Sequence, residues 1–210
     1  MRGPYAYVTP NYWYIDTVFG GAYGFNTETG PGPQVPPLES MKKMIPEADL
    51  WPMGEMWTYH NGRHAFETLD RYLTAYNARY GEATSVEEFT FMSQISNYEA
   101  IRAMFEAFAV NKHNATGVIQ WMLNSAWPET FWQLYDWYLM PNGAFYGTQQ
   151  ACEPLHLVYN YGDKQVYLVN ELLDKYENLT AEIKVFDSNS NLLLEREVTI
   201  EIEANSSSKV

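Results

Sequence analysis

The sequence is poor in three things, and each shortage closes off a class of protein. It has a single cysteine, Cys152, so no disulfide can form within the chain. It is short of basic residues: 13 Lys and Arg stand against 26 Asp and Glu, a formal net charge of −13. Neutralising a nucleic-acid backbone takes a basic footprint, so no nucleic acid is expected as a partner. An acidic balance favours solubility and is compatible with a neutral or cationic ligand. No apolar run approaches the length of a membrane span, and the opening Met1-Arg2-Gly3-Pro4-Tyr5 lacks an apolar signal core, so no membrane partner is expected. Of the four histidines, only His60 and His64 have a spacing that could place two metal ligands one helical turn apart. Gly62 between them weakens such a helix and no third ligand follows, so no metal is expected. Gly30 and Gly32 alternate with prolines and precede no Gly-Lys-Ser/Thr, which excludes a phosphate-binding loop of that type. No cofactor is expected.

What is abundant is aromatic surface. Aromatic residues make up 16% of the chain, with 7 Trp and 17 Tyr, inside a hydrophobic share of 46% that is ample for a core. Large rings serve cores, interfaces and sugar platforms alike. Packing accounts for most of them, and an excess of this size raises the expectation of a carbohydrate or aromatic ligand.

The pattern along the chain changes once. Residues 1–37 are irregular, with Tyr12, Trp13 and Tyr14 after a Pro-Asn turn. Residues 20–28 read as a strand, broken by Thr29-Gly30-Pro31-Gly32-Pro33, which cannot continue one. A short helix is expected over 38–45, with Pro37 in its first turn. A longer one is expected over 64–80, with an apolar stripe of Phe66, Leu69, Leu73 and Tyr76 and a stop at Gly81. Ser85 and Glu88 form a capping box for the longest helix, whose stripe reads Phe91, Ile95, Tyr98, Ile101, Phe105 and Phe108, to about Asn111. Residues 116–123 read as a buried strand that turns into a loop at Asn124, and residues 144–152 as a short helix. From Pro154 onward the period is two: Leu155, Leu157, Tyr159 and Tyr161; Val166 and Leu168; Ala181, Ile183 and Val185; Val198, Ile200 and Ile202. That alternation, with turns between, predicts an antiparallel sandwich of four or so strands. Residues 205–208 read as a loop or frayed tail. The boundary is expected near residue 153, with βα units before it and only β afterwards.

A carboxylate at the end of a buried strand, followed by a Gly/Pro loop, is where a (β/α)8 barrel keeps its chemistry. Glu28 has that position. Glycoside hydrolysis by retention needs two carboxyl groups about 5–5.5 Å apart, one of which attacks the anomeric carbon. By position alone Glu28 is also consistent with a solvated loop residue. Glu55 and Glu129 can reach the same mouth, Glu129 as a contact to a substrate amine, although a solvated loop carboxylate is the plainer reading of both. Asn170-Glu171 lies in sandwich-type sequence and reads as structural. Sequons occur at Asn114, Asn178 and Asn205 and matter only in a glycosylating host.

The segment GGAYGFNTETGPGPQVP (20–36) resembles the nucleophile strand of glycoside hydrolase family 2, in its exo-β-D-glucosaminidase and β-mannosidase-like branch. TGVIQWMLNSAWPETFW (116–132) resembles the eighth barrel strand and its loop in that branch, and residues 133–161 resemble the hand-over from barrel to sandwich. The likeness covers nearly the whole chain and is weakest after residue 180. It implies a fold of α/β plus β: residues 1–153 as the C-terminal portion of a (β/α)8 TIM barrel and residues 154–210 as the start of an immunoglobulin-like β-sandwich, truncated.

The same likeness implies a retaining glycosidase as the parent protein, with Glu28 as nucleophile and Trp121 as the platform under the sugar. Asn124 and Trp127 would line the mouth, Asn26 would lie beside the nucleophile, and Tyr12 or Tyr14 would touch substrate or Glu28. Terminal β-linked glucosamine on chitosan-type chains is the expected substrate, with β-mannoside as the competing one. The acid/base residue of such enzymes lies upstream of the nucleophile, so the partners expected are a carbohydrate and upstream domains of the same parent chain. The parent is expected to be extracellular or periplasmic. Two other readings stay open: a non-catalytic fragment and a carbohydrate-binding β-sandwich module.

Overall fold

The computed structural model describes residues 3–210; Met1 and Arg2, which open the N-terminus read above for a signal core, lie outside the described residues. Its elements run α1 (Tyr12–Ile15), β1 (Gly24–Thr29), α2 (Leu38–Met44), α3 (Glu55–His60), α4 (Thr68–Tyr80), α5 (Val86–Val110), β2 (Ala115–Gln120) and α6 (Gly143–Ala151). Five strands follow: β3 (Leu155–Asn160), β4 (Gln165–Asn170), β5 (Tyr176–Phe186), β6 (Leu192–Ile202) and β7 (Ser206–Lys209).

β1 and β2 pair in parallel, Gly24 opposite Ala115 and Thr29 opposite Gln120. Parallel neighbours need a long crossover, and α2 to α5 supply it. The crossover buries two apolar clusters. One joins Val35, Met41, Ile45, Trp57, Tyr72 and Phe89. The other joins Trp13, Ile101, Met104, Phe108, Leu134 and Ala144.

α5 begins as the sequence predicts, with the Ser85 hydroxyl accepting the Glu88 N–H at 3.2 Å. The Glu88 carboxylate does not return to Ser85, as a full capping box would have it. It accepts instead from the Thr84 N–H at 2.8 Å and the Thr84 hydroxyl at 2.9 Å. The expected stripe of this helix is corrected. Phe91 is 65% exposed and Ile95 is exposed too, while Ile101 and Phe108 are buried. The helix buries its small side chains as well, Ser93, Ser96, Ala100, Ala103 and Ala107 among them. These let neighbours approach the backbone. α6 comes close to this helix: a Cβ on Gly147 would stand 2.3 Å from the Tyr98 carbonyl oxygen, and one on Gly143 would stand 1.9 Å from that of Gln94.

α4 also starts later than its pattern predicts, at Thr68. His64, Phe66 and Glu67 all have positive φ, so the chain turns before it can wind. The Thr68 hydroxyl pins the turn by donating to Asn61 Oδ1 at 2.9 Å. Phe66 leaves the expected stripe and is 59% exposed, whereas Leu69, Tyr72 and Tyr76 are buried. Gly81 ends the helix with φ +82°. Pro37 caps α2 from outside rather than sitting in its first turn.

The region after α6 is entirely β. β3, β4 and β7 form one antiparallel sheet and β5 and β6 another. Of residues 205–208, expected in a loop or tail, 206–208 belong to β7 and pair to β4, with Ser207 opposite Val169 and Ser206 opposite Asn170. As the central strand, β4 buries Leu168, Val169 and Asn170 in succession, so its alternation is lost there. Asn170 ties two loops, donating to the Asp174 and Glu203 carbonyls at 2.8 and 2.9 Å. Towards the hairpin tip β5 and β6 leave Val185, Phe186 and Leu192 to Leu194 exposed.

Two polar contacts tie the helices to this β region. Lys112 pairs with Glu171 at 2.6 Å. The Arg102 guanidinium donates to the Tyr161 hydroxyl at 3.2 Å and lies 3.5 Å from Glu106. Glu106 is 5% exposed and also takes the Tyr14 hydroxyl at 3.4 Å. Burial pushes its carboxyl up to about 7, against the opposing pull of Arg102 and Tyr14.

Two outcomes follow from this packing. Gly147→Ala forces α6 off the Tyr98 carbonyl and is expected to cost about 1–3 kcal/mol in denaturant unfolding, the usual range for overpacking. Glu106 holds its proton more tightly in the fold than in the open chain. Its contribution to stability is therefore full below pH about 4.5 and falls as the pH rises to about 7, by on the order of 3 kcal/mol. Melting temperatures across that window should fall less steeply in Glu106→Gln, and an unchanged slope would contradict the assignment.

Candidate active site

Parallel pairing brings the ends of β1 and β2 to one side. There the Trp121 N–H donates to the Thr29 carbonyl at 2.7 Å, so the strand carrying Glu28 and the start of the Trp121 loop are stitched together. Glu28 is the penultimate residue of β1 and is half-buried. Its carboxylate accepts a short hydrogen bond from the Tyr5 hydroxyl. Its own N–H donates to Asn26 Oδ1 at 3.3 Å, and its carbonyl accepts the Gly3 N–H at 2.6 Å. The opening segment thus runs along the end of β1, with Gly30 N–H on the Pro4 carbonyl at 3.1 Å.

Tyr5 is held in turn by aromatic packing. Its ring lies 5.8 Å from Trp132 and 5.6 Å from Phe66, with Phe66 and Trp132 5.0 Å apart. The Trp132 indole N–H donates to the Tyr5 carbonyl at 2.8 Å. The Gly/Pro loop after Glu28 fits against this group. A Cβ on Gly30 would fall 2.5 Å from the Trp121 carbonyl oxygen and 2.8 Å from the Trp132 ring, so only glycine lets the loop pass.

The other sequence-predicted residues divide. Trp121 is 44% exposed beside the β1 end, and Asn124 is exposed in the loop beyond it. Trp127 lies further along the same loop, stacked on His60 at 5.8 Å and edge-on to Tyr59 at 5.5 Å. Asn26 is fully buried, and its amide donates to the Gly3 and Gly20 carbonyls at 2.9 and 3.0 Å. That side chain is committed to holding the loop, beside Glu28 as expected.

The Tyr12 and Tyr14 hydroxyls are bonded away from Glu28. The Tyr12 hydroxyl donates to the Phe19 carbonyl at 2.9 Å, and burial together with Asp16 pushes it up to about 12. Tyr14 faces Glu106 and Tyr161. The tyrosine on Glu28 is Tyr5, seven residues before Tyr12. Trp132 was not foreseen as a support, because only its fold contact with Tyr5 gives it that role.

Glu129 departs from its expected setting. Expected in solvent, it is 5% exposed. Burial pushes its carboxyl up, while hydrogen bonds with Ser125 and Trp127 pull it back. Glu55 is exposed at the start of α3. His60 ends α3 with Nδ1 2.8 Å from the Pro128 carbonyl, whereas His64 pairs with Asp70 at 2.9 Å. The two do not act together, and among the described residues no group of three or more His, Cys, Asp or Glu is placed to hold a metal ion. No helix among them is long and apolar enough to cross a membrane.

Residues 162–210 match the model of the mannosidase Ig/CBM-like domain. The chain is 38% identical, over 95% of its length, to an exo-β-D-glucosaminidase of Streptomyces avermitilis, and 35% identical, over 100%, to one of Hypocrea virens. A mannosylglycoprotein endo-β-mannosidase of Lilium longiflorum is 26% identical over 88% of the chain. The chain spans 23%, 25% and 20% of the lengths of these three relatives. Among solved structures, the Amycolatopsis orientalis exo-chitosanase CsxA superposes with a TM-score of 0.91 at 33% identity, covering 99% of this chain and 26% of that one. The mixed helix–sheet fold with its Ig-like domain is shared with that enzyme. By sequence and by fold the chain belongs to glycoside hydrolase family 2, on the branch that holds the exo-β-D-glucosaminidases and the β-mannosidases.

Proposed function

We propose that the parent protein is a retaining glycoside hydrolase that removes terminal β-linked glucosamine from chitosan-type oligosaccharides, and that this chain carries the nucleophile half of its site. Residues 1–153 are read as the C-terminal portion of a (β/α)8 barrel and residues 154–210 as the start of the Ig-like sandwich. The observation that carries the reading is Glu28 at the end of the parallel pair, with its carboxylate held by Tyr5. The glucosaminidase relatives, 34–38% identical against 25–26% for the mannosidases, favour the amino sugar over β-mannoside.

In this reading the Glu28 carboxylate attacks the anomeric carbon as the glycosidic C–O bond breaks. The leaving oxygen takes a proton from a carboxylic acid supplied from outside these residues. The conjugate base then deprotonates water, which attacks the anomeric carbon and frees Glu28. Tyr5 orients the attacking oxygen, since a hydroxyl can donate to an ionised carboxylate. Trp121, Asn124 and Trp127 line the sugar site, where an indole offers a broad apolar face and excludes water. A barrel takes eight strands, so β1 and β2 need the upstream domains of the same parent as neighbours. No nucleic acid or membrane enters the reading. The parent acts outside the cytoplasm, in the extracellular space or periplasm.

Release of an aryl group from a β-glucosaminide is the direct test, run on this chain and on a version extended upstream through its coding DNA. Activity is expected in the extended protein alone. Glu28→Gln should lower it by roughly 10³-fold or more. Tyr5→Phe should lower it about 10–100-fold, the loss of one hydrogen bond to a charged group. Activity in the 210-residue chain itself would mean that both carboxylates lie within it. Hydrolysis of β-mannoside alone would move the substrate, and silence towards both sugars would overturn the reading.

Unpaired strand edges template association, and this chain also exposes Phe19, Phe91, Ile119 and Leu123. Sedimentation should therefore find it self-associating when separated from its upstream partner. A monomer with one sharp cooperative melt would count against that.

A further inference from the structure

We propose that Trp132 is the positioning residue of the nucleophile and acts through Tyr5, an inference that rests on Glu28 being that nucleophile. The Tyr5 hydroxyl donates to the Glu28 carboxylate, so the place of the hydroxyl governs the place of the carboxylate. A phenol hydroxyl is carried rigidly by its ring, and the ring goes where the main chain of residue 5 puts it. Trp132 meets both. Its indole N–H donates to the Tyr5 carbonyl at 2.8 Å, and its ring lies 5.8 Å from the Tyr5 ring, edge to face at 67°. An indole has one donor and no acceptor, so that N–H is spent on residue 5.

Trp132 can act as a fixed point because its own place is determined from several sides. It is 9% exposed. Its carbonyl accepts the Met122 N–H at 2.8 Å, which ties it to the residue after Trp121. The next residue, Gln133, donates its N–H to Gln34 Oε1 at 3.1 Å and its amide to the Gln34 carbonyl at 3.2 Å. The loop after Glu28 closes on the indole itself: a Cβ would stand 2.8 Å from Cδ1 on Gly30 and 2.9 Å from it on Gly32. Trp132 is held at φ +54°, in the left-handed region that a bulky side chain rarely adopts. Such strain persists where the surroundings over-determine the conformation.

No other neighbour of Tyr5 combines these contacts. Phe66 lies 5.6 Å away, ring to ring, but it is 59% exposed and a phenyl ring has no hydrogen bond to give. The Gly32 N–H also reaches the Tyr5 carbonyl, at the longer distance of 3.3 Å, and touches no ring.

The first measurement needs no sugar. The 210-residue chain is labelled with ¹³C at the tyrosine ζ carbon, whose resonance follows hydrogen bonding at the phenol oxygen. Tyr5→Phe assigns the Tyr5 signal, and Glu28→Gln shows where it lies once the carboxylate is gone. Trp132→Phe keeps a ring and removes the N–H. It is expected to carry the Tyr5 signal towards its Glu28→Gln position and to leave that of Tyr12, bonded to the Phe19 carbonyl, in place. Phe66→Leu, which removes a ring and no hydrogen bond, should move the Tyr5 signal less. An unmoved Tyr5 signal in Trp132→Phe, or an equal shift in Phe66→Leu, overturns the proposal. Should Trp132→Phe not fold, Trp132→Met fills the space flexibly without a donor, and an unmoved signal there overturns it.

The second measurement is a double-mutant cycle in the extended protein, read as aryl β-glucosaminide hydrolysis. Trp132→Phe should lower kcat roughly tenfold with KM little changed. In a Tyr5→Phe background it should cost less than about twofold, because the hydroxyl that it positions is already gone. Losses that multiply would make Trp132 a structural residue and overturn the proposal. An extended protein without activity would sink the glycosidase reading and leave the tyrosine signal to decide this one.

Discussion

The parallel ladder between β1 and β2 is the constraint on which the rest depends. Two strands running in the same direction end on the same side, and the bond from Trp121 N–H to the Thr29 carbonyl closes the ladder at that end. Residues more than ninety positions apart in sequence, Glu28 and Trp121, come to one edge for that reason. The cost of parallel pairing is a long crossover, met here by α2 to α5, and that crossover also builds the two apolar clusters. Packing and site placement therefore share one cause.

Around the ladder end, rings and small polar groups divide the work. Trp132, Phe66 and Tyr5 form an aromatic group whose hydroxyl end reaches Glu28. Buried amides do the equivalent for the loops: Asn26 ties the opening segment to β1, and Gln34 with Gln133 ties the residues after β1 to those after β2. Such groups are tolerated inside because their hydrogens find partners. Glycine completes the fit where backbone passes backbone, as Gly30 does under Trp121.

The carboxylates of this chain differ in their settings. Glu28 is half-buried, and its carboxylate accepts from a hydroxyl donor. Glu106 is buried at the junction of helices and sandwich, where burial outweighs the pull of Arg102. Glu129 is buried under the Trp127 loop with neutral partners. The many carboxylates of β5 and β6 lie at the surface, where Lys175 and Lys184 are ringed by glutamates. Exposed pairs of that kind contribute little to stability. The net acidity of the chain is thus mostly a surface property; the buried carboxyls are Glu106, Glu129 and Asp136, and Asp136 accepts from the Tyr138 and Met140 N–H groups.

The sequence by itself determined the order and kind of most elements. The Gly/Pro break after Glu28, the Ser85 cap, the stop at Gly81 and the period-two segments are local signals, because turn, cap and strand preferences act over a few residues. It also determined Glu28 and Trp121 as residues worth naming, through the resemblance of the strands that carry them. The tertiary structure alone decided which faces were buried and which side chains met. α5 hides serines and alanines along with its larger residues because close backbone approach rewards small side chains, and the turn at His64 sends Phe66 out of its stripe towards Tyr5. Asn26, Tyr12 and Tyr14 are spent on structural bonds, and Glu129 is enclosed, because contacts across the chain depend on pairing register and crossover, which residue spacing does not encode. Residues 206–209 form a strand for the same reason: serines of weak intrinsic preference are held by the open edge of β4.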